Sequence, residues 1–213
     1  MMIDNSNNLL ISPQLNSIPR FDPKIRLAVL ASGKGTNFEA LIRATDNLLD
    51  ANIVCLIVNK EKCGAIKIAK KYKIPYILVD HKSFGTREEL DRELIKILSN
   101  YKVELVVMAG WMRVVTKVLI ENYKHRIVNI HPSLLPAFKG SNSISDCINS
   151  TVKIAGCTVH LVEEEVDSGE ILIQGALPVN QSDNEEKLIT KIQLIEHKLL
   201  YKGVAIAAHK LRT

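Results

Sequence analysis

The sequence predicts an α/β fold: a doubly wound, mostly parallel sheet with an antiparallel hairpin added near the C-terminus. Two observations carry this expectation. From residue 26 onward, short β-branched runs alternate with helical periods, which is the grammar of βαβ units. After residue 131 that grammar stops, and two apolar runs follow, joined by an acidic turn that ends in glycine.

Residues 26–31 read as a buried strand and 37–49 as a helix. Residues 53–58 give the second strand, 64–72 a helix, and 76–79 the third strand. In 86–100 the residues Leu90, Leu94, Ile97 and Leu98 keep a helical period, with Thr86 placed as N-cap. Residues 104–108 and 126–130 are the fourth and fifth strands, with a helix over 116–123 between them. Pro132 and Pro136 then exclude regular helix and central strand. A loop over 139–143 and a short helix over 145–149 lead to the hairpin strands, 154–162 and 170–178. A long amphipathic helix over 185–209 closes the fold. The Asn-, Ser- and Pro-rich residues 1–24 read as a flexible extension, and 25–213 as a single domain.

Composition narrows the function classes. In 213 residues, 46% are apolar and 24% charged, close to globular averages, which excludes disorder for the chain as a whole. The longest nearly apolar stretch, 105–112, is far short of the roughly 20 residues of a membrane-spanning helix. The net charge is +5, but the basic residues are scattered and only 5% of residues are aromatic. The densest group, Lys67, Lys70, Lys71 and Lys73, reads as a solvated helix face and not as a nucleic-acid surface. The four cysteines, Cys55, Cys63, Cys147 and Cys157, form no C-x-x-C pair, so neither a metal site nor a redox motif is expected. With no basic segment followed by an apolar run at its start, the chain reads as a reduced, cytoplasmic protein.

Four stretches could carry chemistry. Ala31-Ser-Gly-Lys-Gly-Thr-Asn37 joins the first strand to the first helix, where glycines and free N–H groups make a phosphate cradle. It lacks the third glycine of a dinucleotide fingerprint and the ending of a P-loop, so a mononucleotide-sized phosphate ester fits better; the plainer reading is a glycine-rich turn. Asn129-Ile-His131-Pro132 ends the fifth strand, where open α/β sheets bind ligands. Asn129 and His131 point to one side of that strand, so an amide donor and an imidazole stand together. Such a pair can stabilise an oxyanion and deliver a proton, although a single histidine is more often structural. Asp167 would favour a charged imidazole if it reached His131, and otherwise belongs to a Ser-Gly turn. Gly110-Trp-Met-Arg113 follows the fourth strand, where Met112 could pack a flat ring and Arg113 meet an anion, or Trp111 and Met112 simply fill core.

Together with Gly156-Cys-Thr-Val-His160, Val166-Asp-Ser-Gly169 and Gln193-Leu-Ile-Glu196, these motifs resemble the purine branch of the folate-dependent formyltransferases, from about residue 25 to the C-terminus. The run Asn129-x-His-Pro-Ser-Leu-Leu-Pro136 is the most specific part. The resemblance implies transfer of a formyl group from 10-formyltetrahydrofolate, as co-substrate, to the amine of glycinamide ribonucleotide. It implies Asn129, His131 and Asp167 as catalytic residues. It implies Gly35, Thr36, Asn37, Pro132, Gln193 and Glu196 for the ribonucleotide. It implies Arg87, Met112, Arg113, Val114, Val115, Asn129, Glu163, Glu164, Glu165, Val166 and Asp167 for the folate. No metal, nucleic acid or membrane is required, and the protein is expected as a monomer or homodimer. The family's Pro-Gly-Leu-His-x-His run is replaced after Pro136, where residues 139–143 read Lys-Gly-Ser-Asn-Ser, so no catalytic role is assigned there. His160 matches a family position near the site and reads equally as core. Two alternatives remain. A formyltetrahydrofolate deformylase would use the same trio on water, with an N-terminal domain for which 24 residues are too few. A non-catalytic phosphate-ligand module would bind without turnover.

Overall fold

The structure, a computed structural model, describes residues 9–213. Its elements in chain order are β1 (Leu10–Ser12), β2 (Ile25–Ala31), α1 (Thr36–Asn47), β3 (Ala51–Val58), α2 (Gly64–Lys71), β4 (Tyr76–Leu78), α3 (Arg87–Asn100), β5 (Leu105–Met108), α4 (Lys117–Asn122), β6 (Ile127–His131), α5 (Ser143–Asn149), β7 (Ile154–Leu161), β8 (Ile171–Pro178) and α6 (Glu185–Arg212). One eight-stranded sheet runs in the order β1-β8-β7-β6-β5-β2-β3-β4. The strands from β6 to β4 pair in parallel, and β7, β8 and β1 are added antiparallel at the other side.

The strands are apolar on both faces because both faces are covered. Leu27, Val29 and Ala31 of β2 pack with α1 and α6, while Ala28 and Leu30 pack with α3 and α4. The same alternation runs through β3, β5 and β6. In β6, Val128 and Ile130 point into the α6 side of the core. The period of two therefore leaves Asn129 and His131 together on the other face at the strand's end.

The helix boundaries follow local chemistry. Thr86 caps α3 in a complete capping box with Glu89, as its spacing predicts. Thr116 caps α4, and Asn184 caps α6 by accepting from the Lys187 N–H. Gly203 lets α6 lie against β7, since a Cβ there would come within 2.3 Å of Val159. Among the described residues, no helix is long and apolar enough to cross a membrane.

Residues 1–24 are expected as a flexible extension. Residues 1–8 lie outside the described residues. Residues 9–24 pack on the sheet and core: β1 pairs with β8 at Leu10↔Ala176, and Phe21 is 7% exposed. Arg20 meets Asp50 at 2.8 Å, and the same carboxylate accepts from the Phe21 N–H. The order arises from pairing with an edge strand that is distant in sequence, against a local composition that favours disorder.

Candidate active site

The carboxyl ends of β2, β5 and β6 open into one cleft of about 500 Å³. At one end the turn after β2 meets α1. Gly35 is the N-cap of α1 at φ 85°, and a Cβ there would come within 2.8 Å of Ala65. Only glycine satisfies both the left-handed backbone and the close approach. From behind, the Ala65 N–H and the Cys63 thiol both donate to the Gly33 carbonyl, at 3.2 and 3.1 Å. The free N–H groups of the first turn of α1 thus border the cleft, an anion site in donors and dipole.

Across from the cradle, α6 brings in Gln193 and, one turn on, Glu196. Asn37 Nδ2 donates to Glu196 Oε2 at 3.0 Å. The Asn37 Oδ1 atom is buried without a partner among the described residues. Burial pushes the Glu196 carboxyl up to about 7, against the opposing pull of the Asn37 bond. A nearly buried carboxyl beside an unused amide oxygen suits a ligand that carries its own donors, such as a sugar hydroxyl or an amine.

The group of Asn129, His131, His160 and Asp167 sits where the parallel and antiparallel parts of the sheet meet. Met108, Asn129 and His160 lie side by side on β5, β6 and β7. The His160 Nδ1–H donates to the Leu161 carbonyl at 2.8 Å, which leaves Nε2 as an acceptor. Asn129 Nδ2 donates to it at 3.1 Å, and this fixes the amide nitrogen. His131 donates from Nε2 to the Phe138 carbonyl at 2.8 Å, and its Nδ1 lies 3.4 Å from Asp167 Oδ2. Both nitrogens thus face oxygen acceptors, an arrangement that a protonated imidazole satisfies. Asp167 also accepts from the Gly140 N–H at 2.8 Å, and its other oxygen is 3.6 Å from His160 Nε2. Burial pushes the Asp167 carboxyl up, but the Gly140 amide and the His131 imidazole hold it below the usual carboxylate range.

The third wall is apolar. Met112, Val114 and Val166 line the cleft and are exposed, Met112 by 63%. Arg113 stands among them with its Nε buried and unpartnered among the described residues. The Met112 N–H donates to Ser32 Oγ at 2.9 Å, so this wall is tied to the turn after β2.

Of the residues expected from the sequence, Gly35, Thr36, Asn37, Pro132, Gln193 and Glu196 border the cleft, as do Asn129, His131 and Asp167. Met112, Arg113, Val114, Val115, Glu163, Glu164 and Val166 border it too. Arg87 and Glu165 are not part of the lining. Arg87 is the exposed first residue of α3, and Glu165 turns outward to Lys139 at 2.8 Å. The loop at 139–143, given no role from the sequence, supplies the Gly140 amide to Asp167. The Phe138 carbonyl and Ser32 were also missed, because backbone groups and single serines carry no pattern. Among the described residues, no group of His, Cys, Asp and Glu side chains is arranged to hold a metal ion.

An anion cradle and an Asn-His-Asp group thus share one cleft at the carboxyl ends of this sheet. The chain belongs to the formyl transferase family, which it matches over residues 25–204. It is similar to the phosphoribosylglycinamide formyltransferase of Bacillus subtilis (strain 168), at 37% identity over 81% of this chain and 89% of that one. The crystal structure of phosphoribosylglycinamide formyltransferase from Bacillus halodurans superposes with a TM-score of 0.82, at 39% identity over 84% of this chain and 93% of that one. The chain is also 39% identical to the trifunctional purine biosynthetic protein adenosine-3 of Gallus gallus. That match covers 87% of this chain and 18% of the relative, so the chain spans less than a fifth of that protein's length.

Proposed function

We propose that this chain transfers the formyl group of 10-formyltetrahydrofolate to the amine of glycinamide ribonucleotide, a step of purine biosynthesis, and acts in the cytoplasm. The observation that carries the reading is the His131–Asp167 pair beside Asn129, in the same cleft as the cradle of α1. The catalytic unit in this reading is residues 25–213, with 9–24 packed on it as an edge.

The residues fit both ligands. The N–H groups around Gly35, Thr36 and Asn37 hold the phosphate, with Pro132 bordering the space between, and Gln193 and Glu196 meet the polar groups of the ribonucleotide. The exposed faces of Met112, Val114 and Val166 suit a flat folate ring, with Val115 behind them and Arg113 available to a carboxylate. Glu163 and Glu164 border the same space, and Glu165 and Arg87 stand outside its lining. When bound, the folate supplies the formyl group.

The chain's own residues then act on the oxygen that gains charge as the amine attacks. Asn129 Nδ2 has two hydrogens, one held by His160. The second is free for that oxygen. His131 gives a second donor by exchanging the Phe138 carbonyl for the same oxygen. As the carbon–nitrogen bond to the folate breaks, the proton lost by the amine is matched by the proton gained by the departing folate nitrogen, while Asp167, held ionised, keeps the His131 ring oriented at 3.4 Å. Each donor aimed at such an oxygen is worth roughly 3–4 kcal/mol in comparable sites. Alignment of two ligands in one cleft supplies the remaining acceleration.

The test is spectrophotometric release of deformylated folate with and without the ribonucleotide. Release that requires the ribonucleotide is expected. Equal release without it would replace transfer by hydrolysis, and ribonucleotide binding with no release would leave only a binding module.

A further inference from the structure

We infer that Asp91 is a positioning residue for the folate half of the cleft, setting residues 112–115 in register with α3. This rests on the reading of that wall as the folate site. Asp91 lies on α3 among Leu90, Leu94 and Leu98 and is 1% exposed, an unusual place for a carboxylate. Both of its hydrogen bonds go to one residue. The Thr116 N–H donates to Oδ2 at 2.6 Å, and the Thr116 hydroxyl donates to the same oxygen at 2.7 Å. That hydroxyl in turn accepts from the Val118 N–H at 3.3 Å and so starts α4. Burial pushes the Asp91 carboxyl up, and the two Thr116 bonds pull it back.

Thr116 directly follows the cleft-lining residues 112–115. The other end of that segment is held by Ser32, through the Met112 N–H. The segment is therefore a short bridge with two anchors, and between them stand the exposed Met112 and Val114 and the unpartnered Arg113 Nε. Arg87 precedes Asp91 by four residues on the same helix, one turn back on the same face. One carboxylate thus ties the helix of Arg87 to the wall of Met112. A staple that only held α3 to α4 would lower the melting temperature and leave the difference between the two ligands unchanged.

The experiment is calorimetric titration of wild type, Asp91→Ala and Asp91→Asn with tetrahydrofolate, and separately with glycinamide ribonucleotide. Asp91→Ala is expected to weaken tetrahydrofolate about tenfold and to change the ribonucleotide less than twofold. Asp91→Asn keeps an oxygen that can accept both Thr116 bonds and is expected within threefold of wild type for both ligands. Should Asp91→Ala not fold, Thr116→Val deletes the hydroxyl's bonds to Asp91 and to the Val118 N–H, keeps the Thr116 N–H on Asp91, and is expected to weaken tetrahydrofolate about threefold. Equal weakening of both ligands, unchanged tetrahydrofolate binding, or an Asn variant as weak as Ala would overturn the inference while leaving the proposed reaction intact. A wild-type protein that binds no tetrahydrofolate would overturn the folate reading and the inference together.

Discussion

The two ends of the cleft are built differently. The cradle end is made from the termini of regular elements packed on one another: Gly35 against Ala65, Gly33 held by α2, and Asn37 bonded to Glu196. The other end is closed by two loops, with the Gly140 amide on Asp167, Lys139 on Glu165, and the Phe138 carbonyl on His131 at the end of β6. Three non-helical residues there have positive φ: Phe138 at 53°, Gly140 at 85° and Asp167 at 52°. For Phe138 and Asp167 this backbone costs on the order of 1 kcal/mol each. The difference teaches that the cradle is held by packed regular elements, whereas the other end holds its groups in a few bonds from loops.

The largest effect is expected at the loop-held end. His131→Ala removes the imidazole donor and should lower kcat by roughly 100-fold to 1,000-fold. Asp167→Asn should approach that loss, with both variants melting near wild type. Wild-type turnover in either variant would place the chemistry elsewhere in the cleft.

A middle-sized effect sharpens the cradle side. Glu196 has its carboxyl raised to about 7 by burial, so the folded state favours the protonated form. That contribution is present below the ordinary glutamate range and is lost as pH rises through about 7. From the size of the rise, it amounts to at most about 3 kcal/mol. Glu196→Gln should therefore gain stability relative to wild type between pH 5 and pH 8, in paired denaturant titrations, while binding the ribonucleotide more weakly. A constant difference across that range would mean that the carboxyl is not buried as described.

The smallest effect is expected at Lys139→Ala. Its bond to Glu165 joins the two loops at 2.8 Å, but the Glu165 side chain is 75% exposed, so the pair contributes under about 0.5 kcal/mol. A change in kcat larger than twofold would show that the loops depend on this surface latch and not on Asp167.

Much of this architecture is legible in the sequence because the two periods are clean. Each β-branched run is a strand, and the Thr86 cap falls at the expected residue. Asn129 and His131 sharing one side follows from period two alone. What is not legible depends on partners distant along the chain. The short run Leu10–Ser12 is a strand because β8 offers an edge, and nothing local reports this. His160 is oriented toward Asn129 by the register of β6 on β7. Asp91 breaks no helical pattern as a polar residue between apolar ones, and only Thr116 reveals why it is buried. The contacts on His131 and Asp167 come from backbone atoms, whose position no residue type encodes.

The row formed by Met108, Asn129 and His160 has a consequence for biosynthesis of the protein itself. Until β7 is paired, the Asn129 amide has no His160 to orient it, and until α6 docks, Asn37 has no Glu196. The partners of these two pairs are 31 and 159 residues apart. A nascent chain with β2 to β6 in place would carry the glycine turn and both strand-end residues and still lack a finished centre. Turnover in the proposed reaction is thus expected only from chains whose last elements have docked.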